Sequence, residues 1–306
     1  MNGDASEGRT VRIRRGAGGT GSRMRLAFSN IAWEAGEDER VYKRMVELGY
    51  EGLEIAPTRI FPEAPYDQLQ RAAAWARGIR EAFHLEIPSM QSVWYGRTER
   101  LFGSGEERRI LTEYTKKAIR FAETVGCRNL VFGCPRNRNL MEGEDPGAAV
   151  PFFREIGDYA AAHGTVIGME ANPPLYHTNY INDTAAAVRL IREVDSPGFR
   201  LNLDTGTMLA CGEDVSVLEG NADLISHVHL SEPGLKPLQD KALHEELLAF
   251  LTQNRYGGFV SVEMSRPEEP ERVYQTMEKL RGLADRAAER REKDFALSET
   301  AGRSAV

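Results

Sequence analysis

Three features of the sequence predict an α/β protein that folds as one (β/α)₈ barrel. Eight short apolar runs alternate with longer segments in which apolar residues recur every three to four positions. The composition does not break between residues 24 and 294, and roughly 270 residues suit a single barrel domain. The alternative, a doubly wound open sheet, would carry a glycine-rich phosphate loop, but no G-x-G-x-x-G or Walker A pattern follows any strand.

The apolar runs define the strands in chain order. They are predicted over residues 25–30, 52–57, 86–94, 129–135, 165–173, 199–206, 225–233 and 259–264. Helical periodicity closed by glycine follows them, most clearly over residues 39–49, 107–126 and 244–257. The link between the sixth and seventh strands has the least clear helix. Side chains of branched apolar residues are expected to fill most of the barrel interior.

The two ends of the chain differ from this pattern. Residues 1–23 are rich in Gly and Arg and predict a disordered N-terminal extension, without the apolar stretch of a secretory signal. Residues 295–306 are short and polar, which predicts a disordered C-terminal tail. The barrel is therefore predicted over residues 24–294.

Composition excludes several classes of function. The net charge of −7 and the pI near 5.6 disfavour binding to nucleic acid or to an anionic membrane. No apolar run approaches the roughly 20 residues that span a bilayer. Three cysteines without a C-x-x-C pair indicate a reducing compartment, and we expect a cytoplasmic protein. Cys134 lacks an obvious base, which favours an inert thiol over a nucleophile.

Four successive predicted strands end in side chains that can bind a metal. These are Glu170, Asp204, His229 and Glu263, separated by 34, 25 and 34 residues, about one βα repeat each. The carboxyl ends of barrel strands meet at the mouth that holds active sites. Three carboxylates in an apolar barrel would cost several kcal/mol each unless they are paired or bind a cation. The spacing therefore predicts a divalent metal site.

An alternative leaves the cluster without metal. Glu170 and Glu263 would pair with neighbouring Arg or Lys side chains, and Asp204 would cap the next helix. That alternative does not explain why His227 and His229 point to the same face of their strand. We expect His229 to be the ligand and His227, one layer deeper, to be a core residue or a neighbour of the ligands.

The donor set indicates which ion and which chemistry the site suits. Oxygen donors with one nitrogen and no thiolate favour Mn²⁺, with Mg²⁺ and Co²⁺ as alternatives. Such an ion can hold a carbonyl and its adjacent hydroxyl, which lowers the cost of forming an enediolate. Glu170 and Glu263 could then remove and return the α-proton as an acid/base pair.

The same residues resemble a known family. The motifs MEANP, LDTG, HVHLSEP and YGGFVSVEM are similar to those of the sugar phosphate isomerase/epimerase family, whose xylose-isomerase-like barrels include ketose 3-epimerases, hydroxypyruvate isomerases and inosose dehydratases. The resemblance implies that Glu170 and Glu263 are both ligands and the acid/base pair. It implies that Asp204 and His229 are ligands of manganese or a similar ion.

The sequence departs from the family at two positions. Ketose epimerases of the family usually carry a histidine three residues after the ligand aspartate, where this chain has Thr207. They also tend to place an arginine soon after the ligand histidine, where Lys236 is the nearest cation. With six histidines in all, the chain lacks the extra histidine cluster of the related endonucleases. DNA repair is therefore disfavoured.

Other side chains near strand ends are expected to contact a sugar. Aromatic faces suit the C–H edges of a sugar, and polar side chains suit its hydroxyls. The predicted substrate-binding residues are Trp33, Glu54, Gln91, Trp94, Arg136, Asn172, His177 and Lys236.

The sequence predicts a metal-dependent isomerase or epimerase acting on a ketose or ketoglycoside, by proton transfer α to the carbonyl. One alternative is a lyase or dehydratase that eliminates a β-leaving group from a keto-sugar, such as a 3-keto-glycoside, a C-glycoside or an inosose. A further alternative is a sugar-binding assembly subunit without catalysis. The predicted partner is a small sugar or sugar derivative, and both a homo-oligomer and a complex with a partner subunit fit the sequence.

Overall fold

The computed structural model describes residues 24–303, with side chains described through residue 293. Its strands form one parallel eight-stranded sheet. All eight predicted strands are confirmed, and each is shorter than its apolar run, which in every case continues into the loop that follows. The third strand also begins later than predicted, at Ser89. The strands are β1 (Arg25–Ser29), β2 (Gly52–Glu54), β3 (Ser89–Met90), β4 (Asn129–Phe132), β5 (Val166–Met169), β6 (Phe199–Asp204), β7 (Ile225–Leu230) and β8 (Phe259–Val262).

Helices connect successive strands and pack around the sheet. Side-chain caps begin several of them: Ser104 and Glu107 form a reciprocal capping box, and Asp183 accepts a hydrogen bond from the Ala186 amide. The helices are α1 (Asp38–Glu47), α2 (Pro57–Ile60), α3 (Leu69–Phe83), α4 (Gly105–Val125), α5 (Ala149–Ala162), α6 (Thr184–Val194), α7 (Thr205–Cys211), α8 (Ala242–Gln253) and α9 (Glu271–Arg303).

The sheet closes on itself. Its strand order is β2-β1-β8-β7-β6-β5-β4-β3. Parallel bridges from Gly52 to Glu86 and from Ile55 to Met90 join the two end strands β2 and β3. The protein is therefore a (β/α)₈ barrel, and the open-sheet alternative is excluded. Between β6 and β7, where the helical pattern in the sequence is weakest, α7 spans seven residues and short 3₁₀ turns follow it.

The barrel interior is more polar than expected. Hydrogen bonds join strands that are not neighbours in the sheet, so they must cross the interior. Asn129 on β4 donates to Asn202 on β6 over 3.3 Å, and the Gln91 amide donates to Ser29 on β1 over 2.6 Å. The expectation of an interior filled mainly by branched apolar side chains was therefore wrong, because a hydrogen-bonded network occupies much of that space.

A β-bulge shapes the strand that carries both histidines. The pairing between β6 and β7 advances by one residue on β6 and two on β7, which makes Ser226 the extra residue. Ser226 donates its hydroxyl to Asn129 across the barrel. After the bulge His227 pairs with Asn202, and His229 pairs with Asp204.

The predicted N-terminal extension and C-terminal tail can be compared with the structure only in part. The extension predicted over residues 1–23 lies outside the described residues, and α9 continues through residues 295–303 of the predicted tail. The domain division therefore stays a prediction. Within residues 24–303, no helix is both long and apolar enough to cross a membrane.

Candidate active site and metal centre

The four predicted ligands meet at the carboxyl ends of β5 to β8. Glu170, Asp204, His229 and Glu263 each offer one donor atom, and these atoms all lie within 4.8 Å of one another. Asp204 and His229 are register partners on β6 and β7, while Glu170 and Glu263 each come one residue after their strand ends. His229 is fully buried, and each carboxylate residue is at most 9% exposed.

His229 lies at the centre of the cluster. Its Nδ1 is 2.9 Å from Glu170 Oε1 and 3.2 Å from Glu263 Oε2. Its Nε2 is 2.9 Å from Glu54 Oε2. Burial disfavours the imidazolium, but Glu54 and Glu263 outweigh it and hold the pKa of His229 well above its usual value. His229 and the two glutamates are among the residues that could hold a cation.

The carboxylates crowd one another in a desolvated space. Burial, together with the nearby charge of Glu170, raises the pKa of Asp204 to about 6 and that of Glu263 to about 7. Within residues 24–293, no Lys or Arg side chain forms an ion pair with Glu170, Asp204 or Glu263. The alternative of carboxylates paired with basic residues is therefore not supported. Asp204 does cap α7, accepting from the Thr207 amide over 2.6 Å, and still belongs to the cluster.

Glu54 and Gln91 lie beneath the cluster. Glu54 is fully buried, and its Oε2 is 2.8 Å from His227 Nε2 as well as 2.9 Å from His229 Nε2. Its Oε1 accepts from Gln91 over 3.2 Å. Burial would raise the pKa of Glu54, but the two imidazoles hold it below its ordinary value. Both residues were predicted to contact substrate, which stays a prediction; their partners in this structure are protein side chains, including the ligand candidate His229.

Glu170 is held by several donors. Asn202 donates to its Oε1 over 2.9 Å, and Asn172 donates to its Oε2 over 3.1 Å. Arg138 donates to its backbone carbonyl over 2.9 Å. Asn172, predicted as a substrate-binding residue, therefore contacts the ligand glutamate directly.

The run GCPRNR contains two arginines with opposite environments. A 3₁₀ turn over Pro135–Arg138 leaves Arg136, the predicted substrate contact, exposed. The same turn buries Arg138 completely. The burial of Arg138 could not be predicted from the sequence, since no periodic pattern marks which side of so short a turn faces inward. Asn202 was also missed, although its position two residues before Asp204 on one strand predicts the same face.

The two predicted tryptophans pack in the protein core. Trp94 is 2% exposed and packs edge-on against Phe132 and Phe152, while its indole donates to Thr115. Trp33 is 5% exposed and donates its indole N–H to Asp38 over 2.7 Å. Substrate contact by either residue stays a prediction that these contacts do not support.

Loops after β5 and β7 approach each other beside the cluster. His177 and Lys236, both predicted substrate contacts, are exposed on these loops. Tyr176, which the sequence did not single out, accepts from the Gly234 amide over 3.1 Å and joins the loops. Burial and the charges of Asp204 and Glu263 raise its pKa to about 12, so the phenol stays neutral.

Thr207 and Cys134 follow the ends of β6 and β4. Thr207, at the position where related epimerases have histidine, is buried and donates its hydroxyl to the Ala171 carbonyl over 2.8 Å. Burial raises the pKa of Cys134 to about 12, which agrees with an inert thiol.

Comparisons with known proteins agree with this fold. A family model described as xylose isomerase-like TIM barrel matches residues 42–284. No curated protein matches the sequence.

Three solved structures illustrate the likeness. The 3-keto-D-glucoside 4-epimerase of E. coli has 19% identity, a TM-score of 0.65 and coverage of 85% of this chain and 99% of that chain. An L-ribulose 3-epimerase has 15% identity, a TM-score of 0.70 and coverage of 89% and 98%. The D-psicose 3-epimerase of Clostridium cellulolyticum H10 has 17% identity, a TM-score of 0.64 and coverage of 90% and 99%.

At these identities the solved structures show a shared fold, and the family model covers more than half of the sequence. The chain belongs to the xylose isomerase-like TIM barrel family.

Proposed function

We propose that the protein is a divalent-metal-dependent sugar epimerase or isomerase. The observation that carries the proposal is the buried cluster of Glu170, Asp204, His229 and Glu263, whose donor atoms lie within 4.8 Å of one another. The similar structures that are sugar epimerases support the reaction class.

The residues present fit a hard divalent ion. Three carboxylates and one imidazole, with no thiolate, are donors that Mn²⁺ and Mg²⁺ accept. The raised pKa values of Asp204 and Glu263 indicate that the imidazolium of His229 alone does not offset the burial of three carboxylates. When bound, such an ion would polarise a substrate carbonyl and stabilise negative charge on its oxygen. We propose Mn²⁺ as the preferred ion.

The chain's own residues would carry out the proton transfer. Glu170 and Glu263 stand at the ends of β5 and β8, with β6 and β7 between them. They can therefore approach a substrate held over the cluster from two sides. One carboxylate would remove the proton α to the substrate carbonyl, and the other would return a proton to the opposite face.

Glu54 would orient the ligand imidazole. Its carboxylate lies 2.9 Å from His229 Nε2, where it can accept that N–H. The Nδ1 lone pair then faces the two glutamates, as expected for a ligand histidine whose other nitrogen donates to a carboxylate. We propose that Glu54 acts through His229 rather than through the substrate.

We propose a keto-sugar as substrate, either a free ketose or a 3-keto-glycoside. The names of the similar epimerases support both classes. Thr207 is buried and bonded to Ala171, so it does not replace the histidine that ketose epimerases of the family usually carry. This difference makes a 3-keto-glucoside the first compound to test.

The test combines metal content with isotope exchange. Purified protein should contain, or take up, one divalent ion per chain by elemental analysis. With Mn²⁺ in D₂O, it should incorporate deuterium next to the carbonyl of a 3-keto-glucoside or a ketose. Glu263→Gln should abolish most of that exchange, with Glu246→Gln on the exposed surface of α8 as the control. Absence of metal and unchanged exchange in Glu263→Gln together would overturn the proposal.

Elimination is the second candidate, favoured by the missing histidine at Thr207. The same α-proton removal would be followed by departure of a β-leaving group, which yields an unsaturated keto-sugar and a free aglycone or water. Incubation with a 3-keto-glycoside distinguishes the two, because an epimerase releases no aglycone. Metal-dependent sugar binding without exchange or release would instead indicate the sugar-binding assembly subunit.

A further inference from the structure

Arg138 is a buried cation that forms no ion pair with a carboxylate in the part of the chain whose side chains are described. Its side chain is the largest among the fully buried side chains of the described residues. Within residues 24–293, its guanidinium forms no ion pair; it donates instead to the Glu170 carbonyl and to Asn172 Oδ1, each over 2.9 Å. A buried, unpaired guanidinium is costly. The position therefore needs an explanation beyond packing.

The contact with Asn172 settles the direction of that amide. A guanidinium has only donors, so the atom of Asn172 that faces Arg138 must be the oxygen. The amide nitrogen must then point the other way, where it donates to Glu170 Oε2 over 3.1 Å. Arg138 thus fixes the backbone of Glu170 directly and its carboxylate through Asn172.

The space around this relay leaves little freedom for the carboxylate. A Cβ added at Gly133 would lie 2.8 Å from Glu170 Oε2 and 3.3 Å from Asn172 Oδ1. The end of β4 therefore packs closely against both groups. On the other side, Asn202 donates to Glu170 Oε1.

We propose that Arg138 is a positioning residue that holds Glu170 in its metal-binding orientation through Asn172. The inference rests on the proposed metal site and extends it to a residue that touches neither metal nor substrate. It predicts that the relay controls metal affinity and turnover more than it controls folding.

The molecule contains a matched control pair. Arg192 donates to Asn221 Oδ1 over 2.6 Å, and the Asn221 amide donates to the backbone carbonyls of Val217 and Glu219. This Arg–Asn pair has the same direction of hydrogen bonding as Arg138 and Asn172. Its amide nitrogen reaches no member of the cluster.

The experiment compares Asn172→Asp with Asn221→Asp. Aspartate keeps, and strengthens, the contact with each arginine, but it replaces the amide donor by a negatively charged oxygen. In Asn172→Asp that oxygen faces Glu170, so we expect Mn²⁺ affinity measured by calorimetry to fall roughly 10- to 100-fold. Turnover should fall while KM changes little. Asn221→Asp should keep the Mn²⁺ affinity of the parent protein, whatever its effect on thermal stability.

Arg138→Lys provides the second variant. Lysine keeps the positive charge but cannot donate to both the Glu170 carbonyl and Asn172 with the geometry of a planar fork. It should weaken Mn²⁺ binding in protein that circular dichroism shows to be folded. The control is Arg108→Lys, because Arg108 also donates to a backbone carbonyl, that of Gly103.

The outcomes separate this inference from the proposed function. If the parent protein binds no Mn²⁺, the proposed metal site fails. If the parent binds Mn²⁺ and both Asn172→Asp and Arg138→Lys bind it equally well, the metal site stands and the positioning role of Arg138 is wrong.

Discussion

The two glutamates of the cluster stand in unequal surroundings. At the end of β5, Glu170 receives hydrogen bonds from Asn202 and Asn172 on its two carboxylate oxygens, and Arg138 holds its backbone. At the end of β8, the contact described for the Glu263 carboxylate within residues 24–293 is the one to His229 at 3.2 Å. Glu170 therefore has a donor on each carboxylate oxygen, whereas Glu263 has one described partner.

This difference indicates that the two glutamates have different roles. A carboxylate whose two oxygens already accept hydrogen bonds from amides has few directions left in which to move. A carboxylate with one partner can change orientation during a reaction. We expect Glu170 to keep its place as a ligand, while Glu263 accommodates the substrate.

Exchanging each glutamate for glutamine should give the largest effects. Both variants should lose roughly 10²- to 10⁴-fold in deuterium exchange, because each removes one member of the acid/base pair. Without metal, Glu263→Gln should raise the Tm, since burial and the charges of Glu170 and Asp204 disfavour the ionised form of Glu263. Glu170→Gln should not, because its new amide would meet the donors of Asn202 or Asn172. If both variants changed the Tm equally in a thermal melt with EDTA, the unequal surroundings of Glu170 and Glu263 would be contradicted.

Glu54→Gln should have the next largest effect. A glutamine amide can place an N–H against His229 Nε2, where the carboxylate could only accept, and this disturbs the orientation of the imidazole. We expect Mn²⁺ affinity to fall roughly 10- to 100-fold by calorimetry. If Glu54 contacted the sugar instead, KM would rise at unchanged Mn²⁺ affinity.

Gly133→Ala should affect the β5 end alone. Its new Cβ would lie 2.8 Å from Glu170 Oε2, so either the carboxylate or the loop must move. We expect a loss of about 1–3 kcal/mol in the free energy of unfolding, together with weaker Mn²⁺ binding. Gly257→Ala is the control, because a Cβ there would meet nothing within 4 Å. If folded Gly133→Ala bound Mn²⁺ as tightly as Gly257→Ala, the close packing of Gly133 against Glu170 would be contradicted.

The smallest effect is a dependence of stability on pH. Asp204, Glu263 and His229 all have raised pKa values in the metal-free protein. Between about pH 4 and 7 the folded state therefore holds protons that the unfolded chain has released, so stability falls as pH rises. Glu54, whose pKa is lowered, acts in the opposite direction below this window. Burial lowers the pKa values of His227 and His244, and these two imidazoles oppose the trend within the window, so they reduce the net fall in stability.

The measurement is a pair of melts at pH 5.5 and 7.5, with EDTA and with Mn²⁺. Because bound Mn²⁺ replaces the protons, the gain in Tm on adding Mn²⁺ should be a few degrees larger at pH 7.5. The same gain at both values would contradict the assignment of the buried protons to this cluster.

The sequence predicted those parts of the molecule that recur with the βα repeat. The eight strands and the four-residue cluster both obey the βα repeat, so spacing alone located Glu170, Asp204, His229 and Glu263 at one end of the barrel. The barrel interior was mispredicted, because single polar residues such as Asn129 and Ser226 find partners across the barrel that no local pattern reveals.

Loop residues were the least predictable. Arg136 and Arg138 differ by two positions, yet one is exposed and the other is completely buried. The direction of a side chain in a four-residue 3₁₀ turn depends on how the turn packs, which is a property of the folded protein. The same reason explains why Trp94 lies in the core rather than at the mouth.

Asp204 has two tasks that restrict which residue can occupy its position. One carboxylate oxygen accepts from the Thr207 amide and begins α7, and the other accepts from the Ser231 hydroxyl over 2.5 Å. Asparagine could begin the helix but would bring no charge to the cluster, and glutamate would bring the charge on a chain too long to cap. Neither of the two residues most similar to aspartate can therefore replace it without loss of the helix cap or of the metal-binding charge. A library that randomises the β6 end should recover aspartate alone when it is selected for both folding and metal binding.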